Sequence, residues 1–225
     1  MSTVTHLDIQ RVAAGTLFGV ALNYRQQLTP LLESFHQPPY REPPAHPVLF
    51  IKPRNTRNQH GGHIPMPGNI RLQPGPSLGV VIGKSATRIK ASDAAAHILG
   101  YTIVNEFSQP EDSYYRPAIK AKCRDGSCPI GPYVVPASHL ADPANCHIRL
   151  FINGELRQQG NTRDWVRGIA ELMESITSFM TLSQGDVLIT GTPAGRVDVK
   201  PDDEVTVDIE GIGQLTNTVI ASQGS

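Results

Sequence analysis

The stretch Gln73-Pro-Gly-Pro-Ser-Leu-Gly-Val-Val-Ile-Gly-Lys84 carries a short apolar, β-branched run over residues 78–82 and ends on a glycine. A run of this length without polar alternation belongs to a strand covered on both faces, and Gly83 marks the turn that follows it. Ahead of this strand, residues 37–75 are crowded with Pro, Gly and His, led by His36-Gln-Pro-Pro-Tyr-Arg-Glu-Pro-Pro-Ala-His-Pro47. Such spacing of prolines precludes regular helix, so a long loop is expected, of the kind that serves as a lid or binding segment. Val48-Leu-Phe-Ile51 interrupts it as a strand that delivers Lys52-Pro-Arg54 to its end.

Beyond Lys84, Ser92-Asp-Ala-Ala-Ala-His-Ile-Leu99 predicts a short helix capped by Ser92 and stopped by Gly100, with a strand over 101–104. The longest helical pattern covers 162–180, where Trp165, Ile169, Leu172, Met173, Ile176, Phe179 and Met180 recur on one face. That stripe reads as packing surface rather than as a cofactor box. Strands at 187–190, 204–209 and 214–220, separated by the turns Ser183-Gln-Gly-Asp186, Pro201-Asp-Asp203 and Gly211-Ile-Gly213, make the C-terminal third a β-meander built around that helix. The class is α+β with β in excess, and no internal repeat is visible.

With 225 residues the chain suffices for one domain with a substantial core, and Lys plus Arg equals Asp plus Glu at 20 each. A balanced charge gives no reason to expect nucleic acid or a membrane surface as partner, although a local cluster can still take a small anion. Three cysteines, Cys123, Cys128 and Cys146, without a Cys-x-x-Cys pair, argue against a disulfide framework or a thiolate zinc site. With neither an export signal nor a long apolar span in the sequence, a reduced, cytoplasmic setting is expected.

The densest charge cluster is Tyr114-Tyr-Arg-Pro-Ala-Ile-Lys120-Ala-Lys-Cys-Arg-Asp-Gly126, with four cations and two phenols. It reads either as an anion-binding wall or as a solvated basic face. Arg116 has the planar fork that matches a carboxylate, and Cys123, between cations, is a candidate for a lowered pKa, though with no partnering His. His60 and His63, beside Gly61-Gly62, read as solvated loop histidines.

Taken in order, Gly19-Val-Ala-Leu-Asn-Tyr24, Phe50-Ile-Lys-Pro53, Leu78-Gly-Val-Val-Ile-Gly-Lys84, Gly100-Tyr-Thr-Ile-Val-Asn-Glu106, Phe151-Ile-Asn-Gly-Glu155 and Gly191-Thr-Pro193 resemble the fumarylacetoacetate hydrolase family over nearly the whole chain. The resemblance implies a mixed, rolled β-sandwich with peripheral helices, as one domain over 1–225 with an N-terminal segment and Pro-rich loop (1–47) before a core (48–220). It also implies a divalent ion, Mg²⁺ or Mn²⁺, on three carboxylates, two from a Glu-x-Glu ahead of the buried strand and one after Asn at the end of the next. In this sequence the three places hold Gly75, Ser77 and Glu106, so only Glu106 remains as a ligand and no tightly bound metal is expected. Glu111 and Asp112 lie near, but their spacing does not recommend them. Gln27 and Pro30 stand where relatives carry an acid/base His and Glu after Asn23-Tyr24, and neither shuttles protons.

What the resemblance keeps is an anion pocket. Lys122 matches the family's pocket lysine and is the candidate catalytic cation; Arg116, Thr192, Lys52, Arg54, Tyr115 and Lys120 are the candidate substrate-binding residues. Within the family the 105–126 stretch is similar to the isomerase/decarboxylases of 4-hydroxyphenylacetate (homoprotocatechuate) breakdown, specifically to their metal-poor N-terminal repeat. That likeness implies decarboxylation and isomerisation of an unsaturated oxo-carboxylate, in a homodimer or a heterodimer with a metal-bearing sister subunit. Two alternatives stay open: a non-catalytic architectural partner of that sister, and, with no visible agent to activate water, carbon–carbon hydrolysis.

Overall fold

The run that reads as a doubly covered strand is one. In the computed structural model, which describes residues 6–68, 70–111 and 113–222, every residue of the strand Pro76–Ile82 is buried. Val80 and Ile82 point into the main core and Val81 into a second, smaller core on the opposite face, so the strand is covered on both faces.

Among the described residues, thirteen strands form two sheets: β1 (Leu7–Asp8), β2 (Leu17–Ala21), β3 (Val48–Lys52), β4 (Arg57–Gln59), β5 (His63–Pro67), β6 (Pro76–Ile82), β7 (Ile98–Asn105), β8 (Cys128–Pro136), β9 (His147–Ile152), β10 (Glu155–Asn161), β11 (Val187–Ile189), β12 (Glu204–Ile209) and β13 (Gly213–Ser222). The larger sheet runs β1-β8-β7-β6-β11-β2-β3, with β4 also beside β8; the smaller runs β10-β9-β12-β13-β5. Three pairs, β2/β11, β4/β8 and β5/β13, are parallel among otherwise antiparallel neighbours, which makes both sheets mixed. The main core lies between the sheets, where Val80, Ile103 and Val135 of the larger meet Ile148, Leu150, Val207, Leu215 and Val219 of the smaller. The α+β, β-rich sandwich expected from the sequence is the architecture found.

Helices are short: α1 (Ile9–Val12), α2 (Arg25–Leu28), α3 (Ile119–Lys122) and α4 (Ile169–Thr177). The helix expected over 162–180 is confined to α4. Residues Thr162–Asp164 make a single 3₁₀ turn in which Asn161 caps the Arg163 N–H, and the chain is extended again at Trp165. Leu172, Met173 and Ile176 are buried as expected, whereas Phe179, beyond the helix end, is 68% exposed.

Ser92 caps nothing: Ala91–His97 is a 3₁₀ segment, and Gly100 lies inside β7, where a Cβ would collide with the Val135 carbonyl on β8. The Pro-rich loop holds β4 and β5 as well as β3. β5 accommodates Pro65 and Pro67 because it is the edge of the smaller sheet, with a single partner, β13. Val187–Ile189 does not join the C-terminal hairpin of β12 and β13 but inserts between β6 and β2 of the other sheet. β2 lies between β3 and β11, so the sheet takes in residues ahead of 48.

Candidate active site

Four neighbouring strands of the larger sheet end together. Pro76 pairs with Asn105, which sets Gly75 beside Glu106, and the Glu106 N–H donates to the Gly75 carbonyl at 2.9 Å. On the other side of β6, Thr190 follows β11 and donates through its hydroxyl to the Leu78 carbonyl at 2.9 Å; the Gly191 N–H then donates to Ser77 Oγ at 3.2 Å. Gly191 has φ +110° and lies against Asn23 and Val20, a conformation and a clearance that a side chain would forfeit. Asn23 fixes that turn by donating to the Thr190 carbonyl at 2.8 Å.

These strand ends, with Phe50 of β3 and the 106–122 segment, enclose a cavity of about 250 Å³ whose wall includes Gln27, Gln73, Glu106, Glu111, Tyr114, Lys122, Thr192 and Arg196. A second groove adjoins it, sharing Phe50, Glu111, Tyr114 and Lys122 and adding Tyr115 and Arg116.

Glu106 is the electrostatic centre. Lys122 Nζ lies 3.2 Å from its Oε1, Arg196 Nη1 3.2 Å from the same oxygen, and Lys52 Nζ 3.5 Å from Oε2. Burial by itself would raise this carboxyl, but Lys122, Arg196 and Lys52 outweigh it and bring it down to about 2. Lys122, at the end of α3, also reaches Glu111 at 3.0 Å and sits 4.4 Å from the centre of the Phe50 ring. The Tyr114 phenol is pushed up by burial and then by Glu111, so it stays protonated and can donate a hydrogen bond into the cavity.

The structure sorts the expected residues. Lys122, Thr192 and Glu106 come together on the wall; Arg116 and Tyr115 line the adjoining groove, both exposed. Lys52 does not face the cavity. It is buried beneath it, with Nζ donating to the carbonyls of Phe107 (2.8 Å) and Lys122 (2.6 Å), and it props the Glu106 and Lys122 segments from behind. Burial lowers its pKa, against the pull of Glu106. Arg54, on an exposed 3₁₀ turn, and Lys120, on the outer face of α3, line neither space. Cys123 is corrected in sign: burial raises its thiol more than Lys52 and Lys122 lower it. His60 accepts the Thr216 N–H at 3.1 Å as a turn residue, and His63 is exposed on β5.

Glu111, set aside in the sequence for want of spacing, is a wall residue paired to Lys122, while Asp112 lies outside the described residues. Arg196 had no part in the expected site, and Tyr114 entered it only as one of the two phenols of the 114–126 cluster. The signal for Arg196 was its place at the end of Gly191-Thr-Pro-Ala-Gly-Arg196, in the same loop as Thr192.

Residues 16–220 match the family described as fumarylacetoacetate (FAA) hydrolase, C-terminal. The chain belongs to the fumarylacetoacetate hydrolase family. It is 45% identical, over 206 residues and 92% of its length, to a 4-hydroxyphenylacetate degradation bifunctional isomerase/decarboxylase of Escherichia coli, of which the match covers 47%. The chain therefore spans about half the length of the curated relatives it matches at 44–45% identity. Among solved structures, a 5-carboxymethyl-2-hydroxymuconate delta-isomerase of Mycobacterium smegmatis superposes with a TM-score of 0.81 at 32% identity, covering 95% of this chain and 81% of that one. A 2-hydroxyhepta-2,4-diene-1,7-dioate isomerase of Mycobacterium marinum gives a TM-score of 0.80 at 32% identity, covering 95% and 77%.

Members of this family commonly use divalent metals, and the residues here do not fit one. Gly75 has no side chain to offer and no room for one: a Cβ would lie 2.6 Å from the Glu106 carbonyl oxygen and 2.9 Å from its Cγ. Ser77 turns its hydroxyl to the Gly191 N–H. Glu106 is already the partner of three cations, so its negative charge is committed. Among the described residues, no three His, Cys, Asp or Glu side chains converge as a ligand group.

Proposed function

We propose that this chain is the metal-poor, N-terminal-type half of an isomerase/decarboxylase of 4-hydroxyphenylacetate (homoprotocatechuate) breakdown, acting on 5-oxopent-3-ene-1,2,5-tricarboxylate. The observation that carries the reading is Lys122, a buried ammonium that faces the cavity between Glu106 and Glu111, in a chain 45% identical over 206 residues to a relative of that name. In the reaction the bond from C2 to its carboxyl breaks and CO₂ leaves. The electron pair moves through the C3=C4 double bond to the C5 oxo oxygen, giving a dienolate. Protonation on that oxygen yields 2-hydroxyhepta-2,4-diene-1,7-dioate; loss of the hydroxyl proton and its return at C5 of that diene yields 2-oxohept-3-ene-1,7-dioate, the isomerisation.

Lys122 offsets the charge that develops on the dienolate oxygen, Thr192 and Arg116 hold carboxylates, and Tyr115 closes the outer groove. The Tyr114 phenol and Gln27, on the same cavity wall, orient the substrate. Neither step draws on a tightly held metal. The working form is a dimer, with itself or with a metal-bearing sister subunit, in the cytoplasm.

A second reading, that of an architectural partner without turnover, is favoured by one feature: Lys122 is engaged by both Glu106 and Glu111, so a substrate must compete with Glu111 for it. Following CO₂ release from the tricarboxylate in chelator separates the two. Turnover by the purified chain in EDTA supports the first; no turnover with or without Mg²⁺, together with turnover on adding the sister subunit, supports the second.

A further inference from the structure

Arg196 is held more firmly than any other cation on the cavity wall. Its Nε donates to the Pro74 carbonyl (3.0 Å), its Nη2 to the carbonyls of Gln73 (2.8 Å) and Glu106 (3.0 Å), and its Nη1 to Glu106 Oε1 (3.2 Å). Those carbonyls are themselves fixed. Gln73 and Ser108 exchange both main-chain hydrogen bonds, and Gly75 is bound to Glu106 through the main chain and to Asn105 Oδ1 through its N–H.

A guanidinium has five N–H donors, and four are accounted for. The fifth, on Nη1, has no partner among the described residues, on a side chain that lines the cavity with Lys122 across the same Glu106 oxygen. Glu106 and Gly75 are also the places where relatives would ligate an ion, so the guanidinium stands where the divalent charge is excluded.

We propose that Arg196 is the built-in cation of this pocket: its fixed guanidinium presents one N–H, beside Lys122, to an oxyanion of the substrate. The class of ligand is a planar carboxylate or enolate oxygen, which a guanidinium edge fits better than a point charge does. The inference rests on the oxo-acid reading only for the identity of that substrate. Because the donor is oriented before the ligand arrives, little side-chain freedom is lost on binding.

Oxalate, a small planar dianion, tests the site without requiring turnover. Isothermal titration in EDTA is expected to show oxalate binding to the wild-type chain. Arg196→Met is expected to lower the affinity roughly 10- to 100-fold, the usual loss with one charge-assisted hydrogen bond. Arg196→Lys, which keeps the charge and loses the fork, is expected to fall between them and covers the case in which the Met variant does not fold, as judged by near-ultraviolet circular dichroism.

Unchanged oxalate affinity in both variants overturns the proposal, as does a wild type that binds no oxalate or binds it only when Mg²⁺ replaces EDTA. The functional reading fails separately. Affinity lost in Arg196→Met, with no tricarboxylate turnover by the wild type, upholds Arg196 and overturns the assignment as an isomerase/decarboxylase; turnover in EDTA that Arg196→Met leaves unchanged does the reverse.

Discussion

Lys122 and Arg196 meet on one oxygen of Glu106, and the pocket's chemistry depends on which of these three charges is removed. If the proposed decarboxylation holds, Lys122→Met takes away the ammonium set against the developing oxyanion and is expected to lower kcat/KM by roughly 100-fold, the usual scale for losing one such donor. Steady-state rates compared with the wild type check this. Glu106→Gln acts on stability instead. The folded carboxyl sits at about 2, below its ordinary 4.5, so its contribution is complete above pH 4.5 and is lost as pH falls toward 2. Urea unfolding across that range is expected to show a stability that falls with pH in the wild type and is flatter in the variant, which is weaker at pH 7 by on the order of 3 kcal/mol. Gly75→Ala forces a Cβ against the Glu106 main chain and should cost about 1–3 kcal/mol, read as a lower Tm. Of these groups Lys122, Thr192 and Glu106 were legible in the sequence through the motifs that carry them. Arg196 was not, because its place at the end of the Gly-Thr-Pro loop does not by itself show that every bond of its side chain crosses to residues 73–106.

Helix α4 shows where a periodic pattern overreaches. Its apolar spacing continues from Trp165 to Met180, yet only Ile169–Thr177 is helical, since the 3₁₀ turn at Thr162–Asp164 ends with Trp165 in an extended conformation. Leu172 is fully buried and Phe179 is largely exposed. Leu172→Ala is therefore expected to destabilise by about 2–5 kcal/mol and Phe179→Ala by less than about 0.5, a contrast that chemical unfolding of the two variants measures directly. The strands were read in part. β6 and β12 lie where the apolar runs place them, whereas β1, β2, β8, β9 and β10 were not anticipated, nor were β4 and β5, whose surroundings are dominated by Pro and Gly and which each have a single neighbour. β11 was recognised as a strand, but its transfer to the larger sheet follows from pairing with Leu17–Gly19 and Gly79–Val81, far away in sequence.

At the scale of the whole molecule, the residues at the family's ligand places do not suit a divalent ion. A protein whose folding is linked to a bound metal gains stability with the logarithm of the free ion concentration once that exceeds Kd. Here the ligand places are an occupied carboxylate, a serine turned inward and a glycine without space, so Tm in EDTA and in millimolar Mg²⁺ is expected to agree within about 1 °C. A rise of several degrees in Mg²⁺ would mean that Glu106 has found other ligands. Among the described residues no helix is long and apolar enough to cross a membrane. By itself the sequence determined that the chain is β-rich, that residues 78–82 are covered on both faces, that it belongs among the fumarylacetoacetate hydrolases, and that two carboxylates of their metal site are missing. Those are properties of local side-chain order, which a strand or motif carries with it. Only the tertiary structure decided that Lys52 lies beneath the pocket, that Arg54 and Lys120 point away from it, and that Arg196 enters it. The direction of a long charged side chain is set by the register of strands distant in sequence, and by which buried carbonyls those strands leave in need of a donor.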